Sequence, residues 1–124
     1  MSIHSKFAET EVLRILKAYN LSSVIIHWYS GNISDLSKLI DWGCYFSINS
    51  NMCLSEKGRT IISRIPSDRL LIESDGPFTK FNNKKFSPDM LGDTYHLLEH
   101  TIGCNDICNI INNNFNRLNN FVSK

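Results

Sequence analysis

Short apolar runs alternate with amphipathic stripes along the whole chain, and that alternation leaves few folds open. Val24 to Tyr29 and Cys44 to Ile48 are rich in β-branched and aromatic residues and read as buried strands. Leu70-Leu71-Ile72 is the short apolar run of a strand covered on both faces, and Gly76-Pro77 stops it. Ser2 to His4 is too short to assign from pattern alone. Helical stripes lie between these runs. Ala8, Val12, Ile15, Leu16 and Tyr19 mark a helix over Phe7 to Tyr19, with Ser5 as its cap. Ile33, Leu36, Leu39 and Ile40 mark the next, with Gly43 where a terminating glycine belongs.

The rest follows the same grammar. Asn49-Ser50-Asn51 reads as a polar loop, and Ser55 as the cap of a segment from Glu56 to Arg64. Ile65 to Asp68 is a turn. A long loop, Gly76 to Phe86, precedes a helix that Ser87-Pro88 starts and Gly103 ends. Asn105 to Phe121 spaces Ile107, Ile110, Ile111, Phe115, Leu118 and Phe121 as a last helix, intrinsically weakened by its asparagines. Strands separated by helices imply an α/β fold with parallel pairing through right-handed crossovers. A doubly wound sheet and part of a (β/α) barrel both fit. The absence of a glycine-rich phosphate loop counts against a nucleotide-binding sheet.

The chain's 124 residues suit one domain or a piece of one. With 13 Lys+Arg against 12 Asp+Glu, a nucleic-acid surface must be a local patch. No apolar run approaches the roughly 20 residues that span a bilayer, and Met1 to Lys6 lacks the apolar segment of a signal peptide. Cys44, Cys53, Cys104 and Cys108 form neither a disulfide framework nor a C-x-x-C pair. Buried, reduced thiols in a cytoplasmic protein are the expectation.

His4, His27 and Asp75 share one property: each lies at or near the carboxyl end of an expected strand, the face that holds the active site in barrel enzymes. Alternation puts Leu71, Glu73 and Asp75 on one face. Two imidazoles and a carboxylate suit zinc, manganese or iron, and an oxygen-richer shell suits magnesium or manganese. The competing reading of the acids is a helix cap or an ion pair at a loop mouth. His96 and His100, four apart on a helix, have no third ligand in view and read as surface residues.

The motifs themselves go further. Ile3-His4-Ser5, Ile26-His27-Trp28-Tyr29-Ser30-Gly31, Gly43-Cys44-Tyr45-Phe46-Ser47-Ile48 and Ile65-Pro66-Ser67-Asp68-Arg69-Leu70-Leu71-Ile72-Glu73-Ser74-Asp75-Gly76-Pro77 together make the chain resemble the C-terminal half of TatD-like metal-dependent deoxyribonucleases, which belong to the amidohydrolase-type barrels. The Trp28-Tyr29 pair, Ser55-Glu56-Lys57-Gly58 and Ser74 to Phe78 look closest to a TatD-like subgroup of bacterial antiphage Qat systems. The resemblance covers almost the whole chain. It implies that residues 1–124 form strands five to eight of a TIM-type barrel, with the first half absent. It implies a hydrolase of phosphodiester bonds in DNA, with divalent Mg, Mn or Zn held by His4, His27 and Asp75. Asp75 and Glu73 are then the catalytic-site carboxylates, Glu73 orienting a ligand histidine. Lys80, Lys84 and Lys85 are candidates for holding the nucleic-acid backbone, against the alternative of an ordinary solvated loop.

One departure matters. The family's His-x-His pair and bridging glutamate precede the position of His4 and have no counterpart here. The expected partners are therefore DNA and either the missing N-terminal half or a second copy of the chain. The alternative function is a non-catalytic half-barrel or interaction module.

Overall fold

The computed structural model describes residues 2–4, 8–73, 80–81, 84–85 and 91–122. Four strands, β1 (Ser2–His4), β2 (Ile25–His27), β3 (Tyr45–Ile48) and β4 (Leu70–Ile72), form one sheet in sequence order. All three pairings are parallel, with His4 opposite His27, His27 opposite Ser47 and Ser47 opposite Leu71. Each crossover moves one place in the same direction. That is the connectivity of a (β/α) repeat and lacks the reversal that defines a doubly wound sheet.

The helices α1 (Glu9–Ala18), α2 (Ile33–Trp42), α3 (Ser50–Leu54), α4 (Glu56–Arg64) and α5 (Leu91–Ile102) bury one face of that sheet, and α6 (Ile107–Val122) packs along β4 and reaches the other face. Val24, Ile26, Cys44, Phe46, Ile48 and Leu70 pack there against Leu16, Leu36, Leu39, Ile61 and Leu98. The other face carries the alternate residues, of which Tyr45 and Leu71 form a small cluster with Leu118, flanked by Ile25. No helix among the described residues is long and apolar enough to cross a membrane.

Local chemistry explains where the elements stop. Asn32 caps α2, its side-chain oxygen accepting from Asp35 N–H at 2.7 Å. Gly43 ends it at φ +95°, with Cys44 N–H reaching Leu39 C=O at 3.1 Å and Gly43 N–H reaching Ile40 C=O at 2.9 Å. These are the two bonds of a Schellman stop, which needs the left-handed conformation glycine adopts freely. Ser55 caps α4 through Gly58 N–H at 3.0 Å, as its position suggests.

Three expectations need correction. Asn49-Ser50-Asn51 is not a loop: Asn49 caps α3, accepting from Met52 N–H at 3.1 Å, because Met52 and Cys53 behind it face the core. Helix α1 has Ala8 rather than Ser5 at its N-cap, with no side-chain cap bond, and its buried residues are Leu13 and Leu16. Ile15 and Tyr19 are instead exposed. The cysteines divide: Cys44 and Cys53 are buried, Cys104 is half-buried and Cys108 is exposed. Burial pushes the Cys44 thiol up to about 12 and the Cys53 thiol up to about 11. Ser5 and Ser87-Pro88 lie outside the described residues.

Helix α6 does more than its weak propensity suggests. Ile107, Ile111, Asn114 and Leu118 form its buried stripe, while Phe115 is exposed. Asn114 Nδ2 donates to Ser67 C=O and to Leu70 C=O, both at 2.8 Å. Glu73 N–H already bonds Ile48 C=O at 2.9 Å, so backbone groups alternate and those of Leu70 face away from β3. The buried asparagine therefore satisfies a carbonyl on the outer edge of β4. Asn114→Ala is expected to lower stability by about 2 kcal/mol, since it strands that carbonyl, and urea unfolding of the variant checks this.

Candidate functional site

Three strand ends converge on one imidazole. His27 ends β2, Ser47 lies opposite it on β3, and Glu73 follows β4. The His27 side chain is 26% exposed and that of Glu73 10%. His27 Nδ1 contacts Glu73 Oε2 directly and lies 2.8 Å from Ser47 Oγ. Ser47 is itself buried. The residue after His27, Trp28, adopts φ +43°, in the left-handed region where non-glycine residues are uncommon. Its N–H donates to Ser47 C=O at 3.3 Å. Such outliers persist where surrounding structure holds them, as at ligand clamps and active sites.

The pairing pattern decides between chemistries. A Ser–His–Glu relay needs the serine and the acid on different ring nitrogens. Here both fall on Nδ1, so Ser47 is not an activated nucleophile. A carboxylate at Nδ1 favours the tautomer that carries its proton there. That is the tautomer a metal-binding histidine uses when a carboxylate backs it.

A cleft of about 340 Å³ opens beside these groups. His27, Ser47 and Glu73 form its polar side, and Tyr95, Ile111 and Phe115 from α5 and α6 form its apolar side. Burial raises the Tyr95 hydroxyl's pKa, so the phenol stays protonated at neutral pH.

The other candidates fall as follows. His4 pairs with His27 at the carboxyl ends of β1 and β2, which brings the two backbones together; its side chain lies outside the described part of the structure. Asp75 lies outside the described residues. Among the described residues no three His, Cys, Asp or Glu side chains form a metal-sized group. Lys80 and Lys85 face each other across a two-stranded antiparallel ribbon, β5 (Lys80–Phe81) and β6 (Lys84–Lys85), and their side chains are not described. His96 is a surface residue, its side chain 81% exposed and 3.6 Å from Glu99. Ser47 escaped the sequence reading. Its signal was a small polar residue inside the strand Tyr45-Phe46-Ser47-Ile48, two positions beyond an aromatic on the same face.

Comparison with known proteins supplies the lineage. The family model described as TatD related DNase matches residues 1–120. Over 81 residues the chain is 27% identical to a Klebsiella pneumoniae protein named 3'-5' ssDNA/RNA exonuclease TatD, covering 61% of this chain and 31% of that one. Over 80 residues it is 28% identical to a Schizosaccharomyces pombe protein named Deoxyribonuclease Tat-D, covering 61% of this chain and 25% of that one. Among solved structures, YJJV, a TATD homolog from Escherichia coli, superposes with a TM-score of 0.80 at 20% identity, over 94% of this chain and 48% of its own. A hydrolase TatD family protein from Entamoeba histolytica gives 0.82 at 15% identity, over 95% and 50%. The chain thus matches about half the length of these structures and a third or less of these curated relatives. With the family model matched across residues 1–120, the chain belongs to the TatD related DNase family.

Proposed function

We propose that this chain is the C-terminal half, strands five to eight, of a metal-dependent barrel that hydrolyses phosphodiester bonds in DNA. The observation that carries the reading is His27, whose Nδ1 is held by Glu73 and Ser47. The donor chemistry fits a divalent ion: a carboxylate backs the imidazole at Nδ1, and His4 stands in register at the adjacent strand end. His27, His4 and Asp75 are the residues that would hold the metal. Bound divalent ions supply Lewis-acid polarisation of the phosphoryl oxygen and a water acidic enough to attack it at neutral pH. The chain's own contribution is positional. Glu73 keeps the proton on Nδ1 of His27 and so keeps Nε2 a donor. The burial of Ser47 and the low exposure of the Glu73 side chain keep water from competing for Nδ1.

Lys80, Lys84 and Lys85 are proposed to steady the nucleic-acid backbone, their ribbon grouping three cations after β4. The Trp28-Tyr29 pair and Ser55 to Gly58 support a place within the Qat-type subgroup. DNA is the proposed substrate, and the remaining half of the barrel or a second copy the proposed partner.

Calorimetry tests the metal. Mn²⁺ is expected to bind the isolated chain only weakly, because three ligands are fewer than a two-metal site takes, and His27→Ala is expected to abolish the signal. No binding at millimolar Mn²⁺, by the chain alone or mixed with a complementary barrel half, overturns the reading. A labelled single-stranded oligonucleotide then reports hydrolysis by the completed barrel.

A further inference from the structure

We propose that Ser47 is a positioning residue for His27, holding the ring's rotation by being both small and hydroxylated; this rests on the metal-dependent reading above. His27 comes from β2 and Glu73 from the end of β4, and β3 runs between them. Two strand spacings of roughly 4.8 Å separate β2 from β4. For ring and carboxylate to meet, the residue on β3 beneath them must leave the space open. That residue is Ser47, opposite His27 in the β2–β3 register and opposite Leu71 in the β3–β4 register. Its neighbour on the same face, Tyr45, would fill such a space.

Smallness alone would not fix the ring. A carboxylate on Nδ1 sets which nitrogen carries the proton, but the χ2 torsion of histidine is broad and roughly two-fold. The Ser47 hydroxyl, 2.8 Å from the same nitrogen, gives Nδ1–H a second acceptor on a different strand. Its backbone carbonyl also takes the Trp28 N–H, so one residue ties down both the ring and the turn that follows it. Ser47 thereby couples β3 to the imidazole without touching a substrate.

Nitrogen-15 spectra of labelled histidine in the metal-free chain, at fixed pH, provide the test. The native chain is expected to show His27 as the Nδ1–H tautomer. Ser47→Ala, which keeps the space and loses the hydroxyl, is expected to keep that tautomer but to shift the His27 Nδ1 resonance, as the nitrogen loses its second partner. It is also expected to weaken Mn²⁺ binding by about 10-fold, the scale of losing a partner of a ligand histidine. Ser47→Gly carries the same expectation, so the test does not hang on one variant. A folded Ser47→Ala or Ser47→Gly chain whose His27 Nδ1 resonance matches the native one overturns the proposal, whatever its metal affinity. A shifted His27 Nδ1 resonance in a chain that binds no metal upholds the positioning role and overturns only the metal reading.

Discussion

Gly58→Ala is expected to lower the melting temperature by roughly 10 °C, although alanine is the better helix former. Gly58 sits in the first turn of α4, where the chain doubles back from α3, and it is buried. A Cβ at this position would lie 2.5 Å from Met52 Cα and 2.7 Å from its carbonyl carbon, and closer still to the carbonyl oxygen. All three are backbone atoms. Met52 is buried in the core, and α3 packs against both α4 and α5, so α3 has no direction in which to yield. Alanine would gain about 1 kcal/mol of helix propensity. Overpacking against fixed backbone costs about 3 kcal/mol. The difference, about 2 kcal/mol, corresponds to the stated drop for a domain of this size. Gly43→Ala makes the contrast. Nothing lies within 4 Å of a Cβ there, but φ is +95°, so its penalty is conformational and about 1 kcal/mol. Thermal unfolding of the two variants checks both values. An alanine at 58 that leaves stability at or above the native level would mean that α3 and α4 stand further apart than described.

The same two glycines mark how far a sequence can be read. Gly43 follows a clean apolar stripe, and a helix stop was legible there because its cause is local. The requirement at Gly58 is a contact with another helix, and nothing in Ser55-Glu56-Lys57-Gly58 announces it. Helix α3 itself was missed for a related reason. Asn49-Ser50-Asn51 has turn composition, and only the core position of Met52 and Cys53 turns Asn49 into a cap. Asn114 was read as a liability in α6, yet it is buried because a β4 carbonyl needs a donor.

The site divides along the same line. His27 and Glu73 were legible because strand alternation and strand ends are properties of a single segment. The sequence reading has Glu73 orienting a ligand histidine without saying which, and the side chain it contacts is that of His27. Ser47 required the register of two strand pairs, which local pattern does not carry. The inner face shows the limit most clearly. Leu71 has no facing strand among the described residues, yet it is 6% exposed, because Leu118 of α6 reaches it together with Tyr45. Ile25, further along the same face, is only half-buried.

That uneven cover leads to the expected association state. The chain is expected to associate at micromolar concentration rather than remain a monomer. Its sheet ends at β1 and β4, and among the described residues each has one strand neighbour. At β4, Asn114 occupies the Leu70 carbonyl, which leaves the backbone of Ile72 as the edge that another strand would pair with. At β1 alternate backbone groups face away from β2 along Ser2–His4. Unpaired edges recruit strands, and the half-buried Ile25 adds apolar area beside them. A second copy related by a two-fold axis offers the same edges in return, provided strand tilt and stagger permit closure. Such a dimer would bring two His27–Glu73 pairs to one mouth. A complementary barrel half would compete for the same edges. Ile25→Lys puts a charge on the inner face and is expected to shift the population toward monomer, as inward-pointing charges do on natural edges. Sedimentation velocity across about 1 to 50 μM decides the matter, on the concentration scale where exposed strand edges aggregate. A compact monomer throughout that range, unfolding cooperatively and indifferent to Ile25→Lys, would show that α6 covers the sheet well enough by itself.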